Sequence, residues 1–235
     1  MKKKRIVLII IGVVAAVVLA LAVVWGKTYY RAVDINNDIV TRGAITVKEE
    51  KEYYFFDGVG NESALIFYPG ANIDERAYAP LMRTLALQGV DCYLLKMPLK
   101  FALFGTDRAA QIIAKGGYQK YFLAGHSLGG VAASRFADNN PESISALFLL
   151  ASYPDKKMEN VRFPVVFIYG NQDKILNKDK LIKGVDYADA YGEEIILKGA
   201  NHAYFGSYGE QRGDGNAKIT PKEQWKNTSE IILQF

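Results

Sequence analysis

The sequence has little histidine and cysteine: its 235 residues include two histidines and one cysteine. One cysteine excludes an intrachain disulfide. Basic clusters are also missing outside the N-terminus, because residues 2–5 account for the formal net charge of +4. The rest of the chain has equal numbers of basic and acidic residues. Binding to nucleic acid requires a basic face, so the sequence excludes a nucleic-acid partner. The alkaline pI instead indicates a targeting signal at the N-terminus.

Charge is absent between residues 6 and 25, directly after the basic residues 2–5. Such a run at helical rise spans the hydrocarbon core of a bilayer, which is about 30 Å thick. We therefore expect a single-pass anchor over residues 1–26, a linker over 27–43 and an extracytoplasmic domain over 44–235. The alternative is a cleaved signal peptide and a secreted domain, with a cleavage site at Ala20-Leu21-Ala22. The length of the apolar run favours the uncleaved anchor.

After the linker, short apolar strands alternate with helical patterns. Two of the strands, at residues 45–47 and 53–56, are expected to form an antiparallel pair. Further strands are predicted at residues 65–68, 90–96, 121–124, 146–151, 165–169 and 194–197, and helices at 76–87, 107–115, 128–138, 175–183 and 221–235. This alternation predicts an α/β fold with a mostly parallel twisted sheet and helices on both faces.

One motif follows the predicted strand at residues 121–124: Gly-His-Ser-Leu-Gly-Gly at residues 125–130, which opens a predicted helix. Gly-x-Ser-x-Gly between a strand and a helix is typical of a nucleophile elbow, a sharp turn that exposes the serine hydroxyl. Ser127 is therefore the predicted nucleophile. No metal or other cofactor is predicted, because Asp214-Gly215-Asn216 lacks the spaced oxygen ligands of a calcium loop.

A serine nucleophile needs an imidazole base, and the chain offers only two histidines. His126 is adjacent to Ser127 on a tight turn, so its ring points elsewhere. His202 follows the predicted last strand, at the sheet edge where catalytic loops of α/β folds gather. His202 is therefore the predicted base, and a structural loop histidine is the alternative reading.

The acid is expected between the serine and the histidine in the chain. Asp173 is the one carboxylate in that interval that directly follows a strongly apolar strand, at residues 165–169. Asp179, Asp186 and Asp189 fall in or after a predicted helix and are expected to be surface charges. Asp173 is therefore the predicted orienting acid.

Acyl transfer also needs donors for the developing oxyanion. The backbone N–H of Leu128, the residue after the nucleophile, is the first expected donor. The turn at residues 69–72 follows an early strand, and there we expect the N–H of Ala71, or else that of Asn72, to be the second. An ordinary Pro-Gly turn is the alternative.

The loop at residues 203–215 is rich in glycine and aromatic residues and follows His202 directly. This loop is expected either to line the mouth of the active site or to be a turn-rich connector to the final helix. Four residues are predicted to contact substrate: Asn72, His126, Tyr204 and Phe205. A second apolar stretch, at residues 97–105, is expected to line an acyl pocket, to touch the bilayer or to pack in the core.

Taken together, the turn at 68–71, the elbow, Gly170-Asn171-Gln172-Asp173 and Asn201-His202 resemble the α/β-hydrolase superfamily. The likeness is greatest to its small esterases, lipases and dienelactone-hydrolase-like members with little or no cap. The resemblance implies ester chemistry through a covalent acyl-enzyme. Dienelactone hydrolases use a cysteine nucleophile, however, and here the only cysteine, Cys92, lies in a predicted buried strand.

These features predict a membrane-tethered serine hydrolase of carboxylic esters or thioesters, acting on a small ester or a lipid-like substrate. Two other functions fit the same residues. One is an acyltransferase that passes the acyl group to an alcohol or amine. The other is a catalytically silent binding module, because a fold does not dictate a function.

Overall fold

The computed structural model describes residues 2–60 and 62–235, so the first residue of the predicted anchor lies outside it. The chain begins with helix α1 (Lys2–Thr28). Among the described residues, no helix has both the length and the hydropathy needed to cross a membrane. The structure thus does not support the predicted transmembrane helix.

Within the described residues, eight strands form one sheet in the spatial order β1-β2-β4-β3-β5-β6-β7-β8. The strands are β1 (Thr46–Glu49), β2 (Tyr53–Asp57), β3 (Ser63–Tyr68), β4 (Val90–Leu95), β5 (Lys120–His126), β6 (Ala146–Leu150), β7 (Val165–Gly170) and β8 (Gly192–Leu197). β2 is antiparallel to β1 and β4, and all other neighbours are parallel. The predicted mostly parallel sheet and its antiparallel entry pair are confirmed.

Helices cover both faces of this sheet, as predicted. They are α2 (Ala79–Ala86), α3 (Arg108–Ile113), α4 (Leu128–Asn139), α5 (Lys178–Ala188) and α6 (Pro221–Ile232). α2 and α6 pack on one face and α3, α4 and α5 on the other. Along β5, Phe122 and Ala124 join the first core, and Tyr121 and Leu123 join the second. This period of two is what a strand buried on both faces requires.

Helix α5 begins three residues later than the predicted helix at 175–183. The carboxylate of Asp173 accepts hydrogen bonds from the N–H groups of Ile175 and Leu176, which holds them in a turn. The side chain of Asn177 then caps the helix by accepting from the N–H of Lys180 at 2.9 Å. A cap of this kind sets where a helix begins.

β3 and β5–β8 run parallel, so their carboxyl ends meet at one edge of the sheet. The loops that leave this edge contain Ala71, Ser127, Asp173 and His202. The sheet therefore brings together residues that are far apart in the sequence.

Candidate active site

Ser127 lies in the turn between β5 and α4, with φ of 51° and ψ of −124°. A positive φ at a residue with a side chain costs on the order of 1–3 kcal/mol and persists only where the surroundings hold it. Two hydrogen bonds do so: the Ser127 N–H donates to the Leu150 carbonyl at 3.0 Å, and the Ser152 hydroxyl donates to the Ser127 carbonyl at 2.6 Å. The turn has the strand–turn–helix form of a nucleophile elbow.

Two glycines allow this turn to form. A Cβ added at Gly129 would lie 2.1 Å from the Tyr68 carbonyl oxygen, and one added at Gly125 would lie 2.5 Å from the Gly129 carbonyl carbon. Neither contact is sterically possible, so only glycine lets α4 start this close to the sheet.

His202 and Asp173 form a buried pair. His202 Nδ1 is 2.9 Å from Asp173 Oδ2, and Asp173 Oδ1 accepts from the N–H groups of Ile175 and Leu176, both at 2.8 Å. Burial acts to raise the pKa of Asp173, but its hydrogen bond and attraction to His202 and the two N–H donors outweigh this and lower the pKa. Asp173 therefore stays ionised and fixes the proton of His202 on Nδ1.

The other ring nitrogen of His202 is left for chemistry. Nε2 is buried, and it has no hydrogen-bond partner among the described residues. His202 and Ser127 line the same cavity of about 160 Å³. An orienting carboxylate on Nδ1 and a vacant Nε2, on a histidine that shares a cavity with the serine, are what a general base requires.

The rest of that cavity has both polar and apolar lining and lies between the elbow and the start of α5. Its other lining residues are Leu128, Val131, Ala151, Ser152, Tyr153, Ile175, Leu176 and Asn177. The apolar stretch at residues 97–105 does not line it. There, Leu99 and Phe104 are exposed to 75% and 65%, and Phe104 lines a separate, open hollow with Arg108 and Gln111. The Ser127 cavity therefore gives no support to the acyl-pocket alternative for that stretch.

The two predicted oxyanion donors are both available. Leu128 is the first residue of α4, so its N–H has no partner within the helix. In the loop after β3, the Gly70 N–H donates to the Tyr78 hydroxyl at 3.1 Å, and the Asn72 N–H donates to the Lys100 carbonyl at 2.8 Å. The Ala71 N–H between them has no hydrogen bond among the described residues. The Asn72 N–H, the alternative second donor, is thus already hydrogen-bonded.

His126 is fully buried, which corrects its predicted contact with substrate. Its Nε2 is 3.1 Å from the His202 carbonyl oxygen and its Nδ1 is 2.8 Å from the Tyr78 hydroxyl. A carbonyl only accepts, so Nε2 carries the proton and Nδ1 accepts from Tyr78. Burial, and then the neighbouring His202, lower the pKa of His126 well below 6.5, so the ring is neutral.

The other predicted substrate contacts also lie away from the Ser127 cavity. Phe205 is fully buried, with its ring centroid 5.6 Å from that of His126. Tyr204 lines a different hollow with Glu210 and Gln211. The Asn72 side chain is buried and donates to the Thr28 hydroxyl at 2.6 Å. These placements correct the prediction for Phe205, and no described contact brings Asn72 or Tyr204 to the cavity.

The sequence analysis did not identify the role of Asp214. This residue joins the loop that contains Asp173 to the loop that contains His202. Its carboxylate accepts from the N–H groups of Ala203 at 2.9 Å, Lys174 at 3.2 Å and Gly215 at 2.7 Å. These donors occupy the oxygens that a cation would need. In the part of the chain that the structure describes, no group of three or more His, Cys, Asp or Glu residues is arranged to hold a metal.

Solved structures support the same fold. A dienelactone hydrolase from Anabaena variabilis is 16% identical, with a TM-score of 0.62, and the match covers 82% of this chain and 99% of that one. A monoacylglycerol lipase from Paleococcus ferrophilus is 15% identical, with a TM-score of 0.62 and coverage of 78% and 99%. Est1E from Butyrivibrio proteoclasticus is 13% identical, with a TM-score of 0.59 and coverage of 82% and 98%.

A comparison with curated protein sequences finds no match. A family described as "Alpha/beta hydrolase family" matches residues 64–226, which is well over half of the chain. This range includes the elbow, the buried Asp–His pair and the loop with the vacant N–H. The chain belongs to the α/β-hydrolase family.

Proposed function

We propose that this protein is a serine hydrolase that cleaves carboxylic esters or thioesters through an acyl-enzyme on Ser127. The observation that carries the proposal is the buried pair of His202 and Asp173: His202 lines one cavity with the strained Ser127, and its Nε2 has no hydrogen-bond partner among the described residues. The structural neighbours named as an esterase domain, a lipase and a thioesterase domain favour the same chemistry.

In the proposed acylation, His202 Nε2 accepts the proton of the Ser127 hydroxyl as Oγ attacks the carbonyl carbon of the ester. The negative charge that develops on the carbonyl oxygen is stabilised by the N–H groups of Leu128 and Ala71. The positive end of the α4 dipole adds to this. The tetrahedral species collapses, and His202 returns the proton to the departing alcohol or thiol.

Deacylation repeats these steps with water as the nucleophile. His202 takes a proton from the water, the hydroxyl attacks the acyl carbon, and the bond to Ser127 Oγ breaks as that oxygen regains a proton. The products are a carboxylic acid and the free enzyme. An alcohol or amine in place of water would give the acyltransferase, which product analysis with added acceptors distinguishes.

The cavity suggests a short acyl group. A cavity of about 150 Å³ lined by Leu, Ile and Phe holds one benzene molecule, and the Ser127 cavity is of that size. We therefore expect turnover of a p-nitrophenyl ester series to be highest at about six acyl carbons or fewer. A maximum at longer chains would show that another surface binds the acyl group.

The test of the nucleophile is covalent labelling with a fluorophosphonate probe. The wild-type chain should gain one probe adduct, Ser127→Ala should gain none, and tandem mass spectrometry should place the adduct on the elbow peptide. Ser143→Ala, in the short turn after α4 and away from the elbow, is the matched control and should label normally. An unchanged label on Ser127→Ala would overturn the proposal.

Attachment to a membrane is a separate proposal, and it rests on sequence alone. Residues 6–25 carry no charge and follow a basic cluster, although no spanning helix is found among the described residues. Extraction of cell membranes with alkaline carbonate tests it: an attached full-length chain stays in the pellet. Recovery of a shortened chain in the growth medium would instead support the cleaved signal peptide.

A further inference from the structure

From the last residue of α1 onward, the chain contacts two loops of the candidate active site, although the sequence predicts only a linker there. We call residues 28–33 the N-terminal strap. The Tyr30 N–H donates to the Asn72 carbonyl at 3.0 Å, and the Tyr30 carbonyl accepts from the Asp74 N–H at 2.8 Å. The Thr28 hydroxyl accepts from the Asn72 side-chain amide at 2.6 Å. The strap is therefore hydrogen-bonded to the loop that contains Ala71.

The same strap also holds the loop after His202. The Val33 N–H donates to the Ser207 carbonyl at 2.8 Å, and the Ser207 hydroxyl donates to the Val33 carbonyl at 2.8 Å. The Tyr30 ring packs on Tyr208, with 5.4 Å between the ring centroids. The strap thus bridges the loop of the oxyanion donor and the loop of the base.

Asn72 is the residue on which these bonds converge. Its φ of 55° is in the left-handed region, which asparagine tolerates better than most residues but still at a cost. Its N–H is bound to Lys100, and its carbonyl and side chain are bound to the strap. Release of Asn72 would let its backbone angles relax, and the change would pass through the peptide between residues 71 and 72 to the orientation of Ala71 and its N–H.

We propose that the N-terminal strap is a positioning element for the oxyanion hole: Thr28 and Tyr30 hold Asn72, and Asn72 aims the Ala71 N–H at the reacting carbonyl. The proposal rests on the proposed ester hydrolysis. Neither Thr28 nor Tyr30 lines the Ser127 cavity, so neither residue is expected to bind substrate. Their effect belongs in kcat, because the oxyanion forms only after substrate has bound.

The first test compares Thr28→Val with Thr28→Ser in the full-length chain. Valine has nearly the shape of threonine but no acceptor for the Asn72 amide, whereas serine keeps the hydroxyl. If the misaimed Ala71 N–H stabilises the oxyanion less by about the worth of one neutral hydrogen bond, kcat falls by about fivefold for Thr28→Val. KM should change by less than about twofold, and Thr28→Ser should restore kcat.

The second test compares Tyr30→Pro with Arg31→Pro. Proline at position 30 removes the N–H that binds the Asn72 carbonyl, whereas the Arg31 N–H makes no hydrogen bond within the described residues. We expect Tyr30→Pro to lower kcat by about tenfold or more and to speed hydrogen exchange in a peptide spanning residues 69–78. Arg31→Pro should do neither. Exchange elsewhere in the domain reports whether each variant is folded.

The outcomes separate this proposal from the proposed function. Wild-type kcat in both Thr28→Val and Tyr30→Pro, with Ser127→Ala inactive, would overturn the strap proposal and leave the hydrolase intact. Turnover that survives Ser127→Ala would overturn the hydrolase itself. A rise in KM at unchanged kcat would show that the strap binds substrate, and it would also overturn the positioning role.

Discussion

The two halves of the candidate active site are held in different ways. In the triad half, Ser127, Asp173 and His202 lie in the loops after β5, β7 and β8, and each is fixed by neighbouring loops at the same edge. In the oxyanion half, Ala71 sits in a loop whose restraints come from the N-terminal strap, Lys100 and Tyr78. The triad half therefore depends on the sheet, and the oxyanion half depends on long-range contacts to the rest of the chain.

Asp173→Asn should break the triad half with the largest effect. Asparagine presents an amide to His202 Nδ1, which favours the wrong tautomer, and kcat should fall by about 10⁴-fold. Steady-state kinetics on a short-chain ester measure this. Asp155→Asn, which removes a surface ion pair with Arg135, is the control and should keep wild-type kcat. Comparable activity of the two variants would remove Asp173 from the triad.

Ala71→Pro should break the oxyanion half while leaving the triad in place. Proline has no N–H, and loss of one oxyanion donor lowers kcat by about 10²–10³-fold. Kinetics with the same ester give the fall, and circular dichroism checks that the variant is folded. Wild-type kcat in this variant would mean that a different group donates to the oxyanion.

Tyr78→Phe tests the buried chain of hydrogen bonds that joins the two halves. The lost hydroxyl leaves the Gly70 N–H and His126 Nδ1 unpaired, so the free energy of unfolding should fall by about 2 kcal/mol or more. Urea unfolding measures the change. The matched control is Tyr121→Phe, because the buried Tyr121 hydroxyl has no partner among the described residues. Equal losses in the two variants would contradict the role of Tyr78.

The smallest expected effect is a pH dependence of stability. Burial keeps the pKa of His126 well below 6.5, so the native ring is neutral where the unfolded chain takes up a proton. Stability should therefore decline as the pH falls below about 6.5, with a slope approaching about 1.4 kcal/mol per pH unit from this residue. Asp173, with its pKa lowered from 3.8, contributes only at more acidic pH.

Urea unfolding between pH 7 and pH 5 measures this slope, and His126→Gln should reduce it by the histidine's share. The slope is the readout, so a general loss of stability in the variant does not affect the conclusion. An identical slope in the two proteins would show that His126 takes up its proton in the native state.

Much of the fold was predictable because its signals are local. The strand at 165–169 and the Gly-x-Ser-x-Gly turn depend on residues that are adjacent in the chain, and the structure has a strand and an elbow at these places. The start of α5 was less predictable, because Asp173 holds the N–H groups of Ile175 and Leu176 in a turn and Asn177 then caps the helix. The anchor predicted from residues 6–25 is not supported by a spanning helix among the described residues.

The candidate site was likewise predictable where its signals are local and not where they depend on distant segments. With two histidines in the chain, adjacency to Ser127 was enough to set His126 aside as the base, but its burial against Tyr78 was not visible in the sequence. Asp214 and the strap were missed because each acts between segments that are distant in the chain. Contacts of that kind leave no periodicity or spacing to detect.

The sequence by itself determined the nucleophile turn, the order of the predicted triad residues and the alternation that builds a parallel sheet, since each follows from residues close in the chain. Only the tertiary structure decided which N–H groups stay vacant and that the chain after α1 braces the loop of Ala71. The physical reason is that a hydrogen bond depends on distance in space. The bonds that converge on Asn72 come from Thr28, Tyr30 and Lys100, which only the folded chain brings together.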